Sequence, residues 1–185
     1  MNRPARLTVV SGPSGAGKGS VIGAVLRRHP QVWLSVSATT RAPRPGEEDG
    51  IDYHFVDEAE FARMVSAGEL LEHASYAGSS YGTPRQPVED KLAAGIPVLL
   101  EIELQGARLV RQAMPDARLV FLAPPSFEEL ARRLTGRGTE DADRIRNRLD
   151  RARIEMAAED EFDATVINDD IEAAAQRLVA LMEIT

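Results

Sequence analysis

Five short apolar runs punctuate the chain, and between them apolar residues recur at helical spacing. The runs are RLTVVS (Arg6–Ser11), VWLSV (Val32–Val36), IPVLLEIEL (Ile96–Leu104), ARLVFLAPP (Ala117–Pro125) and ATVIND (Ala164–Asp169). Continuous apolar runs of this length suit strands covered on both faces. Ala117–Pro125 stops at a double proline and Ala164–Asp169 at Asn-Asp. After the first run, Val21, Ile22, Val25 and Leu26 fall on one helical face. The third run leads into a helix over Leu104–Ala113, and the fourth into Phe127, Leu130, Ala131 and Leu134. Ile145, Leu149, Ala152 and Met156 share a further face, and Ile171–Met182 closes the chain. Strands alternating with helices predict an α/β fold with a five-stranded parallel core sheet.

Two segments break that rhythm. Ser37 to Tyr81 is long, polar and rich in Gly, Pro, Tyr and Arg, too large for a loop. Within it YHFVD and ELLEHASY read as antiparallel strands around a helix over Glu58–Ala67. TGRGTEDADRIRNR, a glycine-flanked arginine turn feeding a helix, has the composition of a lid. The expected layout is one domain: core over 1–36, inserted lobe over 37–84, core over 85–125, lid and flanking helices over 126–158, and core over 159–185.

Composition narrows the function classes. At 185 residues and 43% hydrophobic, the chain can bury one substantial core. There is no run long enough to span a bilayer, and MNRPARLTVVSG lacks the apolar centre of a signal peptide. Cysteine is absent, and His29, His54 and His73 are not paired at a ligand spacing, so neither a disulfide framework nor a transition-metal site is expected. These features point to the cytoplasm. A net charge of −7 argues against bulk nucleic-acid binding. The charge is uneven, however: Arg132 to Arg153 holds eight arginines and four acids, whereas Ile154 to Gln176 holds eight acids and no basic residue. A local basic patch suits a small anionic ligand, and equally a solvated helix of mixed charge.

The chemistry concentrates in SGPSGAGKGS (Ser11–Ser20). Gly12, Gly17 and Lys18 fit the phosphate-binding pattern G-x-x-x-x-G-K, but Gly19 stands where a Ser or Thr is usual and the hydroxyl follows at Ser20. Between a strand and a helix, such a loop aims backbone N–H groups at phosphate oxygens, and the helix N-terminus adds positive potential. One of only two lysines in the chain, Lys18, sits there. Downstream, Arg41, Arg44 and Tyr53 offer several donors to a terminal phosphate. Without the glycine loop, the same residues read as a polar surface hairpin. Glu101 and Glu103, two apart on a strand, point to one face at its C-terminal end, where α/β sheets bind ligands. They also read as solvated carboxylates at a strand end.

Taken in order, SGPSGAGKGS, SATTRAPRPGEEDGIDYHFV, YAGSSYGTP, LEIELQGA, FLAPPS, RLTGRGTE and VIND resemble the guanylate kinase family, over nearly the whole chain from Leu7 to Asp170. The resemblance implies a P-loop three-layer fold with a GMP-binding lobe and a lid. It implies transfer of the γ-phosphate of Mg·ATP to GMP, giving ADP and GDP, in purine nucleotide metabolism. By resemblance, Gly12, Pro13, Ser14, Gly15, Ala16, Gly17, Lys18, Gly19 and Ser20 cradle ATP, with Arg133 and Asn168 nearby. Asn168 could equally cap the last helix. Arg41, Arg44, Tyr53 and Tyr81 resemble the residues that hold the GMP phosphate, and Ser37, Glu72 and Thr83 those that read guanine. The residues alone would make Glu72 an exposed strand carboxylate. As a guanine reader it has the right chemistry, because an acceptor-only carboxylate can take both the N1–H and the N2 amine. Glu101 and Glu103 would position guanine or hold waters of Mg²⁺, although the family usually has aspartate at the second place. Mg²⁺ would sit on the nucleotide phosphates and water, with Ser20 or Glu101 as protein contacts. Lys18, Arg44, Arg137 and Arg148 would serve catalysis, with Arg144 contributing. Arg132, Arg146, Arg151 and Arg153 are read as solvent-exposed helix charges.

Two rivals remain at this level: an inactive guanylate-kinase-like module that binds protein partners, and a kinase for another nucleotide or a phosphorylated sugar. The expected partners are ATP and GMP, with no nucleic acid and no membrane. Oligomeric state is left open.

Overall fold

The computed structural model describes residues 5–135 and 142–183. Along the chain run β1 (Leu7–Ser11), α1 (Lys18–Arg28), β2 (Trp33–Leu34), β3 (Ala38–Thr39), β4 (His54–Phe55), α2 (Glu58–Ser66), β5 (Leu70–Tyr76) and β6 (Ser79–Pro84). Then follow α3 (Arg85–Ala93), β7 (Val98–Glu101), α4 (Leu104–Ala113), β8 (Arg118–Ala123), α5 (Phe127–Thr135), α6 (Ala142–Ala157), β9 (Ala164–Ile167) and α7 (Ile171–Met182). All five apolar runs become strands of one sheet, in the order β2-β7-β1-β8-β9, and every pairing is parallel.

Both faces of that sheet are covered, which is why its strands are apolar without alternation. Val10, Leu99, Val120, Leu122 and Val166 pack on one side with Val21, Ile22 and Val25 of α1 and Ala174, Ala175 and Leu178 of α7. Leu7, Val9, Val98, Leu100 and Leu119 turn to the other side, against Val88 of α3 and Ala107 and Val110 of α4. The strand period of two divides each run between the layers. Helix α3 has no counterpart in the apolar pattern, since Val88 is its one buried residue.

Residues 38–84 hold a second, four-stranded sheet in the order β4-β3-β6-β5. This lobe departs from the expected antiparallel pair. YHFVD and ELLEHASY do not pair; β4 and β5 lie at opposite edges. β4 runs parallel to β3, while β3 and β5 both run antiparallel to β6. β4 and β5 therefore point the same way, as strands joined by a crossover helix do, with α2 as the crossover. Asp57 caps α2 by accepting from the Glu60 amide.

The junction of β7 and α4 also departs from expectation. β7 stops at Glu101, and Glu103 is the N-cap of α4 rather than a strand residue. On the far side, α5 and α6 pack through Leu130, Leu134 and Ala152, with Leu149 and Met156 at the margin. No helix among the described residues is long and apolar enough to cross a membrane.

Gly12 is where the chain leaves β1, with φ at 150°, and a Cβ there would lie 2.2 Å from the carbonyl oxygen of Leu122. Backbone of β8 cannot swing aside as a side-chain tip can. Gly12→Ala is expected to cost on the order of 1–3 kcal/mol, the range for overpacking. That corresponds to a fall in Tm of roughly 2–12 °C for a chain of this size, readable by calorimetry.

Candidate active site

The glycine loop joins β1 to α1. Its last glycine, Gly17, is the N-cap of α1 at φ 90°, in the left-handed region that glycine enters freely. Among the described residues no side chain caps this helix, and no acid stands in its first turn, so the first amides of α1 are open to an external acceptor. Lys18 Nζ donates to the Gly12 carbonyl at 2.7 Å, which places the ammonium at the mouth of the loop. Asn168 is buried, and its Nδ2 donates to the Ala16 carbonyl at 2.8 Å. It braces the loop from behind. The cap of α7 is Asp170, whose carboxylate accepts from the Ala173 amide, so the capping alternative for Asn168 is wrong. Arg133 Nη1 reaches the Gly15 carbonyl at 3.5 Å from α5. Ser14, Gly19 and Ser20 are exposed on the loop and first turn. A Cβ at residue 19 would meet no atom within 4 Å, so packing does not demand glycine there.

A cleft of about 540 Å³ opens beside the loop, between the two sheets. Lys18, Ser37, Arg41, Arg44, Tyr53, Glu72, Tyr81, Glu101 and Glu103, all singled out in the sequence, line it together. Thr83 lies behind the wall and donates its hydroxyl to Glu72 Oε1 at 2.7 Å.

Glu72 is the unusual group of this cleft. It is only 7% exposed, which contradicts the exposed-strand reading. The register shifts between Leu70 and Glu72. Across this irregularity Leu71 packs in the core with Ala107, while Glu72 lies against Gly106 of the same helix, α4. A Cβ at Gly106 would sit 3.0 Å from Glu72 Oε2, so the missing side chain makes the room for that oxygen. Burial pushes the Glu72 carboxyl above the usual range, and the Thr83 hydroxyl and amide pull it partly back.

Arg41 is held by two parallel bonds, Nη1 to Glu47 Oε2 at 3.0 Å and Nη2 to Glu47 Oε1 at 2.9 Å. The same carboxylate accepts from the Arg44 amide at 2.7 Å. The Arg41 guanidinium also lies 5.3 Å from the Tyr53 ring centroid. The bond to Glu47 is the main reason that the Arg41 pKa is raised even further, so it stays charged throughout. Burial, then the neighbouring Tyr81, raises the Tyr53 phenol, which therefore remains a donor. Glu101 is open to the cleft yet surrounded by protein; desolvation raises its carboxyl against the pull of Lys18.

Sequence reasoning missed several lining residues: Glu47, Asp52, Gly106, Arg108 and Glu155. Glu47, three residues after Arg44 in a Pro-Gly turn, was legible as a local acceptor. Arg151, read as a solvent-exposed charge, instead faces the cleft. Arg148 is half-buried on α6 and is not among the cleft residues. Arg137 lies outside the described residues.

Known proteins agree with this architecture. A sequence model of the family described as guanylate kinase matches residues 4–185. A guanylate kinase of Frankia casuarinae is 69% identical over 179 residues, 97% of each chain. One from Thermobifida fusca is 62% identical over 181 residues, covering 98% of this chain and 92% of the relative. The crystal structure of guanylate kinase from Anaplasma phagocytophilum superposes with a TM-score of 0.80 at 36% identity, over 98% of this chain and 86% of that one. With P-loop, second sheet and cleft in these places, the chain belongs to the guanylate kinase family.

Proposed function

We infer that this chain is an ATP:GMP phosphotransferase that moves the γ-phosphoryl group of Mg·ATP onto GMP. The observation that carries the reading is the buried carboxylate of Glu72 in the same cleft as Lys18 of the glycine loop. Guanine presents N1–H and the N2 amine as adjacent donors, and a carboxylate accepts both. Adenine presents an acceptor at N1, which would face the carboxylate unfavourably. The Thr83 hydroxyl occupies one lone pair of Oε1 and fixes the plane of the group. Ser37 adds a hydroxyl to the same wall, and Glu103 a second carboxylate.

Arg41, Arg44, Tyr53 and Tyr81 would grip the acceptor phosphate. Glu47 orients Arg41 for that purpose, and a pre-oriented fork loses less freedom on binding. On the donor side the loop amides, Lys18 and Arg133 would hold the ATP phosphates, with Arg137 and Arg148 meeting the transferring group as the lid closes. Phosphoryl transfer needs alignment and charge neutralisation more than covalent help. No general base is required, because the acceptor phosphate is already anionic near neutral pH.

Among the described residues no cluster of His, Cys, Asp or Glu could cage a metal alone. Mg²⁺ suits such a site, since it keeps several waters and leans on substrate phosphates plus one or two protein oxygens. The Ser20 hydroxyl and the Glu101 carboxylate fit as those oxygens, the latter open to the cleft on the Lys18 side. The ion would neutralise charge on the phosphates as they approach. The soluble nucleotide pools of the cytoplasm are the setting that such substrates imply.

Lys18→Ala should lower turnover by at least about a hundredfold, the scale for losing one charged donor at a transferring group, with Tm unchanged within error. Near-wild-type turnover at saturating Mg·ATP would contradict the donor site. Arg148→Ala should lower the single-turnover rate by at least about a hundredfold, a floor beneath the effect of arginines at phosphoryl groups. Nucleotide affinities should stay put; loss of affinity in proportion to rate would make Arg148 a ground-state ligand instead.

Glu72→Gln should reduce the preference for GMP over AMP by about 10- to 100-fold, the worth of a charge-assisted hydrogen bond. An unchanged preference would mean that Glu72 does not read the base. The same change should raise Tm at pH 7. The folded carboxyl titrates above its unfolded value, so ionising it near neutrality costs stability, and that cost disappears as pH falls below the ordinary carboxylate range. GMP affinity of the unaltered chain should accordingly begin to fall on acidification at a pH above that range.

A further inference from the structure

Helix α6 turns two faces to the protein. Leu149, Ala152 and Met156 pack on α5, while Arg151, Ile154 and Glu155 face the cleft. The Arg151 guanidinium carbon lies 4.2 Å from the ring centroid of Tyr76, at the end of β5. Its Nε donates to Glu155 Oε1 at 2.9 Å, and its Nη2 approaches Glu103 Oε2 at 3.4 Å. Glu155 is 5% exposed, so the arginine meets a carboxylate that is largely removed from water. One side chain thus touches three bodies: α6, the edge strand of the second sheet and the N-cap of α4. Only a planar guanidinium can lie on a ring while its edges reach two carboxylates.

These contacts lie on the acceptor side of the cleft, where the Tyr76 ring centroid is 6.4 Å from that of Tyr81. Tyr76 is four residues beyond Glu72 on β5, and both line the cleft with Ala74. Glu103 begins the helix whose Gly106 makes room for Glu72. The glycine loop, by contrast, is packed by Leu122, Leu130, Leu134 and Asn168. The groups that Arg151 touches, Tyr76, Glu103 and Glu155, are not among those that pack on the loop glycines.

We propose that Arg151 is a positioning residue for the acceptor nucleotide, holding Tyr76 and Glu103 as the walls beside Glu72 and tying α6 to the acceptor lobe. The longer reach of glutamate at position 103 has a use here, because its carboxylate extends towards α6. Tyr76, 43% exposed at a strand tip, is fixed by the guanidinium resting on its ring. Loss of that stacking loosens the acceptor pocket and leaves the donor loop as it was. The proposal rests on the reading of this cleft as the acceptor site.

Steady-state kinetics with GMP and Mg·ATP test it in Arg151→Ala, Arg151→Lys, Tyr76→Phe, Tyr76→Leu and the Arg151→Ala/Tyr76→Leu double variant. The KM for GMP should rise about three- to thirtyfold in Arg151→Ala, the span for a cation over an aromatic ring. The KM for ATP and kcat should change less than about twofold, inside the noise of a single weak contact. Tyr76→Phe should behave as the unaltered chain and Tyr76→Leu as Arg151→Ala, because the ring and not the hydroxyl is in contact. The double variant should lose little more than either single one, as coupled residues do. Arg151→Lys keeps the charge and should recover only part of the affinity. An unchanged KM for GMP in Arg151→Ala overturns the proposal. So does an equal loss in Tyr76→Phe and Tyr76→Leu, or an equal rise in both KM values accompanied by a lower Tm. An unaltered chain that phosphorylates another nucleoside monophosphate and not GMP overturns the guanine reading instead, and the same KM split is then read with that acceptor.

Discussion

The carbonyl of Leu122 sits where a side chain on residue 12 would begin, and the active site is built outward from that constraint. Because β1 and β8 are neighbours, the chain leaving β1 must pass over the end of β8, and only a bare backbone fits. The loop then turns back at Gly17, braced by the Asn168 amide on the Ala16 carbonyl, and enters α1 with its first amides unclaimed. A Cβ on residue 17 would lie 2.5 Å from Asn168 Nδ2, so a side chain there would have to displace the brace as well as hold a left-handed φ of 90°. Two bare glycines, one against the Leu122 carbonyl and one against the Asn168 amide, thus deliver a phosphate cradle at the C-terminal edge of a parallel sheet, where ligands of α/β proteins bind.

The opposite wall works by a different constraint, desolvation. Glu72 is kept from water by a strand irregularity and by the absence of a side chain on Gly106. An ionised carboxylate in that place is costly until donors arrive, and one hydroxyl from Thr83 does not satisfy it. Paired donors on the edge of a purine complete the set. A site whose polar groups are left unpaired by the wrong ligand rejects it far more strongly than a shape mismatch does, by about 10⁴–10⁵ in favourable cases. Selectivity and reactivity are thereby divided between the two sheets: the parallel sheet carries the loop, and the smaller one carries most of the acceptor wall.

Much of this was readable in the chain. The five strands are continuous apolar runs because both faces are covered, and α4 and α7 begin and end where apolar spacing begins and ends. The glycine loop and the Arg41–Arg44–Tyr53 set announced themselves by residue type. What escaped has physical causes. Helix α3 buries Val88 alone, too little for a periodic signal. Strands β3 and β4 have two residues each, too few for an alternating signal, so their parallel pairing leaves no trace in the sequence pattern. Glu72 is buried by an irregularity that strict alternation cannot foresee. Arg151 sits in a stretch of mixed charges where every arginine looks alike, and only the approach of Tyr76 and Glu103 from distant positions separates it from Arg153, which rests over Phe127 outside the cleft.

The central claim is that one cleft joins an ATP cradle to a guanine-reading wall. It is tested most directly by release of ADP from Mg·ATP by the unaltered chain, measured against a panel of GMP, AMP, CMP and UMP at equal concentrations. The account predicts rapid release with GMP, accompanied by stoichiometric GDP, and release with AMP lower by several orders of magnitude. Comparable rates with AMP, or ADP release with no diphosphate formed from any acceptor, would contradict it.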